Sequence, residues 1–343
     1  MNKSKVLLIY TGGTIGMVKD SETKALVAFD FGYLKKQVPE LDKINVNLES
    51  VSLEHPIDSS DMNPDIWKEI AQIIIEHYEQ FDGFVILHGT DTMAYTSSAL
   101  SFILQGLQKP IILTGSQLPI DTIRTDGKEN LITSIEIAAA KNEFGESQIK
   151  EVAICFEDYL YRGNRTSKIS ADAFEAFLSP NYPPLAVAGI NIKYSSSHLL
   201  FQTKQKELMF YPKMDNRIAL MKIFPGGLTS VYQGLFDIER VKAVVMETFG
   251  AGNVPHNPKL FQMIANYIEE GGIVVNITQC QSGKVNQGMY ENSVMLNKIG
   301  VISGEDLTTE AAITKIMHLL GNYKDVGVIS EMMKKSIVGE MVG

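Results

Sequence analysis

Lys5 to Gly16 reads KVLLIYTGGTIG, an apolar run that enters a Thr-Gly-Gly-Thr turn and then Ile-Gly. Val6-Leu7-Leu8-Ile9-Tyr10 is too short for a helix and rich in β-formers, the pattern of a strand buried on both faces of a parallel sheet. Thr14 then stands just past the carboxyl end of that strand. In open α/β sheets this edge binds ligands, because loops converge there and helix N-termini point free N–H groups into the crevice. A dinucleotide-binding turn is one reading of the glycines. The G-x-G-x-x-G spacing ending at Gly16 would, however, need glycine where Thr11 stands, and no clear acidic ribose-binding residue follows a second strand. The other reading takes Gly12 and Gly13 as permitting a close backbone approach, with the Thr11 and Thr14 hydroxyls left for chemistry.

The same design recurs along the chain. Phe84-Val85-Ile86-Leu87 breaks into His88-Gly89-Thr90-Asp91-Thr92 before a helical stretch, Ala94 to Leu104. Pro110 to Leu113 leads into Thr114-Gly115-Ser116-Gln117, and Val152 to Phe156 leads towards Tyr161 to Lys168. Between the first two strands, Asn63 reads as an N-cap with Pro64 at the first helical position, and Trp67, Ile70, Ala71 and Ile74 mark a helix over Asp65 to Tyr78. Strands alternating with helices imply right-handed parallel crossovers and a doubly wound sheet. Met17 to Lys24 reads as a surface loop of the kind that acts as a lid, ahead of the apolar patch Ala25 to Phe31.

The expected class is therefore α/β, with a larger N-terminal doubly wound, mostly parallel domain over residues 1–192. A linker over 193–216 follows, where periodicity fades, and a smaller α/β domain occupies 217–343. In that domain Ile218 to Ile223, Ala243 to Met246 and Ile273 to Ile277 read as strands and Pro258 to Glu270 as a helix, with further helix in the last ~35 residues. Its polar, glycine-rich turns are Gly250 to Asn253 and Thr278 to Gly283.

With 343 residues, 45% of them hydrophobic, the chain has ample core for two medium domains. A formal charge of −9 and the lack of a Lys/Arg-rich run argue against a nucleic-acid surface. No apolar run approaches a membrane span and no secretory leader is evident, so the expected location is the cytoplasm. Cys155 and Cys280 sit in or just after apolar runs and read as buried structural thiols. The six histidines show no metal-ligand spacing, and His88 reads as a packed, hydrogen-bonded residue; no metal and no cofactor are expected.

A sheet edge lined by Thr14, Ser59, Thr90, Asp91, Ser116 and a downstream Lys168 holds hydroxyls, one acid and one amine. A threonine hydroxyl is a poor nucleophile until a base takes its proton, and a lysine serves if desolvation lowers its pKa from ~10.4. Thr90, Asp91 and Lys168 together would make such a relay, and the amides of the two threonine turns an oxyanion hole. Singly, each residue has a plainer reading: a helix cap for either threonine or Asp91, a solvated charge for Lys168.

Taken together these motifs resemble the bacterial-type L-asparaginases, and within them the cytosolic type I branch. The resemblance is carried by TGGTIG at Thr11 to Gly16, DSSDM at Asp58 to Met62, HGTDTMAYT at His88 to Thr96, TGSQ at Thr114 to Gln117, YRGNRTSK at Tyr161 to Lys168 and TQCQSGKVN from Thr278. It implies hydrolysis of the L-asparagine side-chain amide to aspartate and ammonia through a threonine acyl-enzyme. In that scheme Thr14 matches the nucleophile, and Lys168 acts through Thr90 as a proton relay. Asp91 belongs to the relay and also holds the substrate α-amino group. Ser59, helped by the Ser60 backbone, matches the α-carboxylate site; Ser116 offers its main-chain carbonyl to the amide nitrogen, and Asn253 reaches into a neighbouring subunit. The implied assembly is a dimer or a tetramer of two dimers.

Two departures accompany the resemblance. The family's lid tyrosine has no counterpart between Met17 and Phe29, Ala25 standing about where it is expected, with Tyr33 as a candidate substitute. Some type I members also bind asparagine at a regulatory site near the cysteine matched by Cys280, and Glu247 stands where a basic residue helps in at least some relatives. The nearest enzymatic alternatives are an L-glutaminase and the glutaminase-like subunit of a tRNA-dependent amidotransferase. The latter resembles this chain preceded by an extra amino-terminal domain, whereas TGGT here begins at residue 11. A non-catalytic amino-acid sensor would keep the pocket but have little use for Thr14, Thr90 and Lys168 together.

Overall fold

Seven successive buried residues, Val6 to Gly12, complete strand β1 (Ser4–Gly12), and hydrogen-bonded strands flank it on both sides. The computed structural model describes residues 3–16, 18–19, 26–27, 31–200, 207–288 and 291–342. The chain divides into two compact units, Met1–Pro212 and Lys213–Gly343.

In the first unit β1 is followed by β2 (Val46–Ile57), β3 (Gly83–Leu87), β4 (Ile111–Thr114) and β5 (Val152–Phe156). These five pair in parallel in the spatial order β2-β1-β3-β4-β5. In that order the chain leaves β1 towards β2 and later returns on its other side as β3, so the topological switch point lies between β1 and β3. An antiparallel edge extends the sheet beyond β5: β6 (Tyr159–Arg162) turns back on β5, and two short strands, Ala186–Val187 and Lys193–Tyr194, follow it outward. Ser167–Lys168, here β7, pairs with Phe177–Leu178, here β8, as a separate hairpin, Lys168 opposite Phe177.

Apolar stripes cover both faces of the sheet. Val6, Leu8 and Tyr10 of β1 pack with Leu34 of α1 (Phe31–Gln37) and with Leu131 and Ile135 of a later helix, Gly127–Ala139. Each such buried aliphatic side chain contributes roughly 1.5–3 kcal/mol. Helix α2 (Pro64–His77) begins as its sequence predicts: Asn63 accepts from the N–H of Asp65 and Ile66, Pro64 opens the helix, and Trp67, Ile70, Ala71 and Ile74 are buried. It packs on α3 (Met93–Ile103), which lies against β5.

The stretch 193–216 contributes Lys193–Tyr194 to the sheet edge and Met209–Phe210 to a pairing with Leu104–Gln105, and the boundary between the units falls after Pro212. The second unit is a four-stranded parallel sheet in chain order, Ile218–Lys222, Ala243–Thr248, Ile273–Thr278 and Ile302–Ser303. Helices at Pro258–Glu269 and Thr309–Asn322 cover it. Among the described residues no helix is long and apolar enough to cross a membrane.

The structure overturns one thiol expectation, the burial of Cys280. Among the described residues Val46–Ile57 is the longest strand although its residues alternate polar with apolar, because it forms the sheet's outer edge and is mostly half-buried or exposed. Cys155 is buried, and burial pushes its thiol up to about 12; Cys280, expected to be buried, is exposed. It stands beyond the end of its strand, in a polar turn where Thr278 accepts its backbone N–H. The proposed lid, Met17 to Lys24, lies outside the described residues apart from Val18–Lys19, which pairs antiparallel with Leu26–Val27; Ala25 is likewise outside them.

Candidate active site

Glycines let the turns after β1, β3 and β4 approach one another at the switch point. Gly12 and Gly13 adopt φ of 128° and 85°, a region that L side chains rarely enter. A Cβ on Gly13 would fall 2.4 Å from Gly89 N, and one on Gly12 would fall 1.9 Å from Ile57 O. At Gly89 it would meet Ser59 Oγ at 2.6 Å, and at Gly115 it would meet His88 O at 2.3 Å. Thr14, Ser59, Thr90 and Ser116 are therefore each next to, or in contact with, a glycine that a side chain would displace. Thr11 Oγ1 donates to Leu87 O at 3.0 Å and Thr92 Oγ1 to Ser59 O at 2.6 Å, fastening the turns together.

Thr14 opens a short 3₁₀ turn and is half-buried; among the described residues its hydroxyl has no hydrogen-bond partner. Thr90 is held on two sides. Lys168 Nζ donates to Thr90 Oγ1 at 2.8 Å and to Asp91 Oδ1 at 2.6 Å, and Thr90 donates to Gln117 Oε1 at 3.2 Å. The Lys168 side chain is only 15% exposed, which removes the solvated-charge reading, whereas Asp91 is 68% exposed. Asp91 is not the cap of α3: Thr92 occupies that position and makes no side-chain cap bond.

Ser59 is buried at the start of its turn. Ser60 is exposed, and both its N–H and its hydroxyl donate to Asp58 Oδ1 at 2.8 Å, which holds the Asp58 carboxyl below its usual range. The Ser60 backbone N–H thus already serves its own turn. Ser116 is buried, and among the described residues its hydroxyl has no partner. Asn253 lies in the second unit, in the turn after Ala243–Thr248; its N–H donates to Phe249 O, and its side-chain oxygen is buried without a partner among the described residues.

His88 supports the turn from beneath. It is fully buried, and burial pushes its imidazole down to about 4, so it is neutral. Nδ1 donates to Gly89 O at 2.7 Å, which leaves Nε2 to accept from Thr96 Oγ1 at 2.9 Å; Thr96 in turn accepts from Trp67 Nε1 at 3.0 Å. A ring with both nitrogens occupied and no charge is a strut, not a general base.

Both family models that match the chain are asparaginase domains: "Asparaginase, N-terminal" over residues 5–200 and "Glutaminase/Asparaginase C-terminal domain" over 217–333. The chain belongs to the asparaginase family. L-asparaginase 1 of Escherichia coli K12 is 41% identical over 345 residues, covering 99% of each protein. Among solved structures, L-asparaginase I of Vibrio cholerae matches with a TM-score of 0.88 at 38% identity, over 99% of both chains. The thermostable L-asparaginase of Thermococcus kodakarensis matches with a TM-score of 0.90 at 31% identity and the same coverage.

Two members of this asparaginase-family cluster had no assigned role in the sequence reading. Gln117 was visible only as the end of TGSQ, yet it bonds to Thr90; Asp126, ten residues after Ser116, accepts from the N–H of Gln117 and Leu118. No local signal marks either, because both act on residues that the fold brings near. A cavity of about 620 Å³ also lies against the Lys168 hairpin, lined by Tyr161, Ile169 and Phe177 among others. None of Thr14, Ser59, Thr90 or Asp91 lines it, so the candidate reacting groups and this cavity are separate features.

Proposed function

We propose that this asparaginase-family hydrolase converts L-asparagine to L-aspartate and ammonia through an acyl-enzyme on Thr14, in asparagine catabolism. The observation that carries the reading is the Lys168–Thr90–Asp91 contact: an amine and a hydroxyl 78 residues apart meet at 2.8 Å beside the carboxylate, at the switch point of the sheet. Thr14, whose hydroxyl has no partner among the described residues, attacks the side-chain amide carbon. The ester and ammonia form, and water then releases aspartate. Lys168 moves protons through Thr90 during both halves. Asp91, largely exposed, faces the substrate α-amino group, Ser59 takes the α-carboxylate, and the Ser116 carbonyl takes the amide nitrogen. N–H groups of the threonine turns stabilise the oxyanion.

The enzyme works in the cytoplasm and assembles as a homodimer or a tetramer of two dimers, Asn253 completing a neighbour's site; light scattering showing a monomer under active conditions would remove that part. The central test is ammonia release by the purified protein with L-asparagine and, separately, L-glutamine. Release from asparagine well above that from glutamine, lost in Thr14→Ala with substrate still bound, is expected. Full activity in Thr14→Ala would exclude Thr14 as the nucleophile. A preference for glutamine would make the protein an L-glutaminase on the same chemistry, and binding without turnover of either amide would make it an amino-acid sensor.

A further inference from the structure

Every polar atom of the Gln117 side chain is engaged. Nε2 donates to Ala173 O at 2.9 Å, and a carbonyl accepts only from the amide's NH₂ end, so this partner decides which way the amide faces. Oε1 therefore faces Thr90, and it has no hydrogen to give. The Thr90 hydroxyl has one proton, which goes to Gln117 Oε1 at 3.2 Å. What Thr90 presents to Lys168, 2.8 Å away, is a lone pair.

The backbone beneath Gln117 is anchored as well. The buried Asp126 carboxylate accepts from Gln117 N at 2.9 and 3.1 Å and from Leu118 N at 3.2 Å, and Asn130 Nδ2 adds a third donor. Ala173 belongs to the turn between β7 and β8, held by its own N–H on Ser170 Oγ. Gln117 thus spans from the Thr90 turn to the hairpin that carries Lys168. Among the described residues, the charged groups bonded to the Thr90 hydroxyl or to its partners are Lys168 on that hairpin and Asp91 on its own turn, with Asp126 behind the Gln117 backbone.

We infer that Gln117 is a positioning residue that sets the direction of the proton relay, holding the Thr90 proton away from Lys168 so that the pair rests with Lys168 as donor. The relay accepts a proton only after the Thr90 hydroxyl has turned from Gln117 towards Lys168. The inference rests on the reading of Thr90 and Lys168 as the relay of an amidohydrolase.

Gln117→Met and Gln117→Glu test it, since both keep the side-chain length and both lose the donor to Ala173. Methionine removes the acceptor, so the Thr90 proton is free to turn to an uncharged Lys168 amine. The pH at which kcat reaches half its plateau then moves down, by about half a unit or more, the size of one modest hydrogen bond. Glutamate keeps the acceptor and adds an anion that favours the ammonium, moving the same midpoint up. KM for asparagine changes little in either, while kcat falls by about tenfold or more in the methionine variant and less in the glutamate variant. Midpoints that move in the same direction, or not at all, with wild-type enzyme active, would overturn the inference and leave Gln117 as a tether for the hairpin alone. A wild-type protein that releases no ammonia in the same assay removes the amidohydrolase reading, and the inference falls with it.

Discussion

Lys168 makes one contact that matters little for stability and one that, on the proposed mechanism, matters for chemistry. Its ion pair with Asp91 joins a mostly buried ammonium to a carboxylate that is 68% exposed, and pairs in such contact with solvent contribute only about 0–1 kcal/mol. Its bond to Thr90 places the amine where it can move the proton of a hydroxyl. Lys168→Met is therefore expected to leave the thermal midpoint almost unchanged while lowering kcat by about 10²–10⁴-fold, the usual worth of a positioned acid or base. Ammonia-release kinetics beside a melting curve check both halves, and an unchanged kcat rules the relay out. Thr14, Thr90, Asp91 and Lys168 were singled out as candidates because each stands in a polar motif at a strand end. Gln117 was not, because its role depends on which atoms face its amide.

At the scale of elements, α2, α3 and the turn after β3 are joined by the chain Trp67 to Thr96 to His88 to Gly89. Burial holds His88 at about 4, against an ordinary value near 6.5. The folded protein therefore stays unprotonated at this site while the unfolded chain takes up a proton as pH falls below about 6.5. Stability supplied by the neutral ring is complete above that pH, declines between about 6.5 and 4, and levels off below. The full effect is on the order of 3 kcal/mol. His318, in the helix Thr309–Asn322, is also pushed down to about 4 by burial and titrates over the same window in the other unit. Urea unfolding at a series of pH values is expected to show this loss, and His88→Gln to flatten part of it; a wild-type midpoint constant from pH 7 to pH 4.5 would contradict the assignment. Continuous apolar runs disclosed the buried parallel strands. Val46–Ile57 and Tyr159–Arg162 escaped because an edge strand and a strand doubling back as a hairpin have no such run, and only pairing reveals them.

At the scale of the whole molecule, two units of different construction carry different burdens. The first holds the proposed reacting groups at the crevice of a 2-1-3-4-5 sheet, the general position for ligands in open α/β folds. The second is closed by its own C-terminal segment. Lys315 and Glu340, neither with any exposed side-chain surface, pair at 2.7 Å; Lys315 also donates to Met333 O and Lys335 O, and Glu340 accepts from the N–H of Ile337 and Val338. Glu340→Gln keeps an acceptor for those amides but leaves a buried ammonium without its counter-ion, a change that costs about 3–5 kcal/mol. Adding Lys315→Met is expected to recover much of the loss by removing that charge. Denaturant unfolding of the single and double variants measures this, and a double variant no more stable than Glu340→Gln would show that the tail is held by its amide bonds alone.

By itself the sequence determined the strand-turn-helix rhythm, the two α/β layers and the polar residues at each strand end. Those features are local: strand burial reads as an unbroken apolar run, and the turns read as glycine and hydroxyl residues. Only the tertiary structure decided which of those ends meet. A separation of 78 residues between Thr90 and Lys168 carries no information about contact, and neither does the span from Gln117 to Ala173. The exposure of Cys280 and the occupied amide of Ser60 were settled in the same way, by neighbours that the chain acquires on folding. A proton's direction depends on the atoms facing it, and those are assembled from distant parts of the chain.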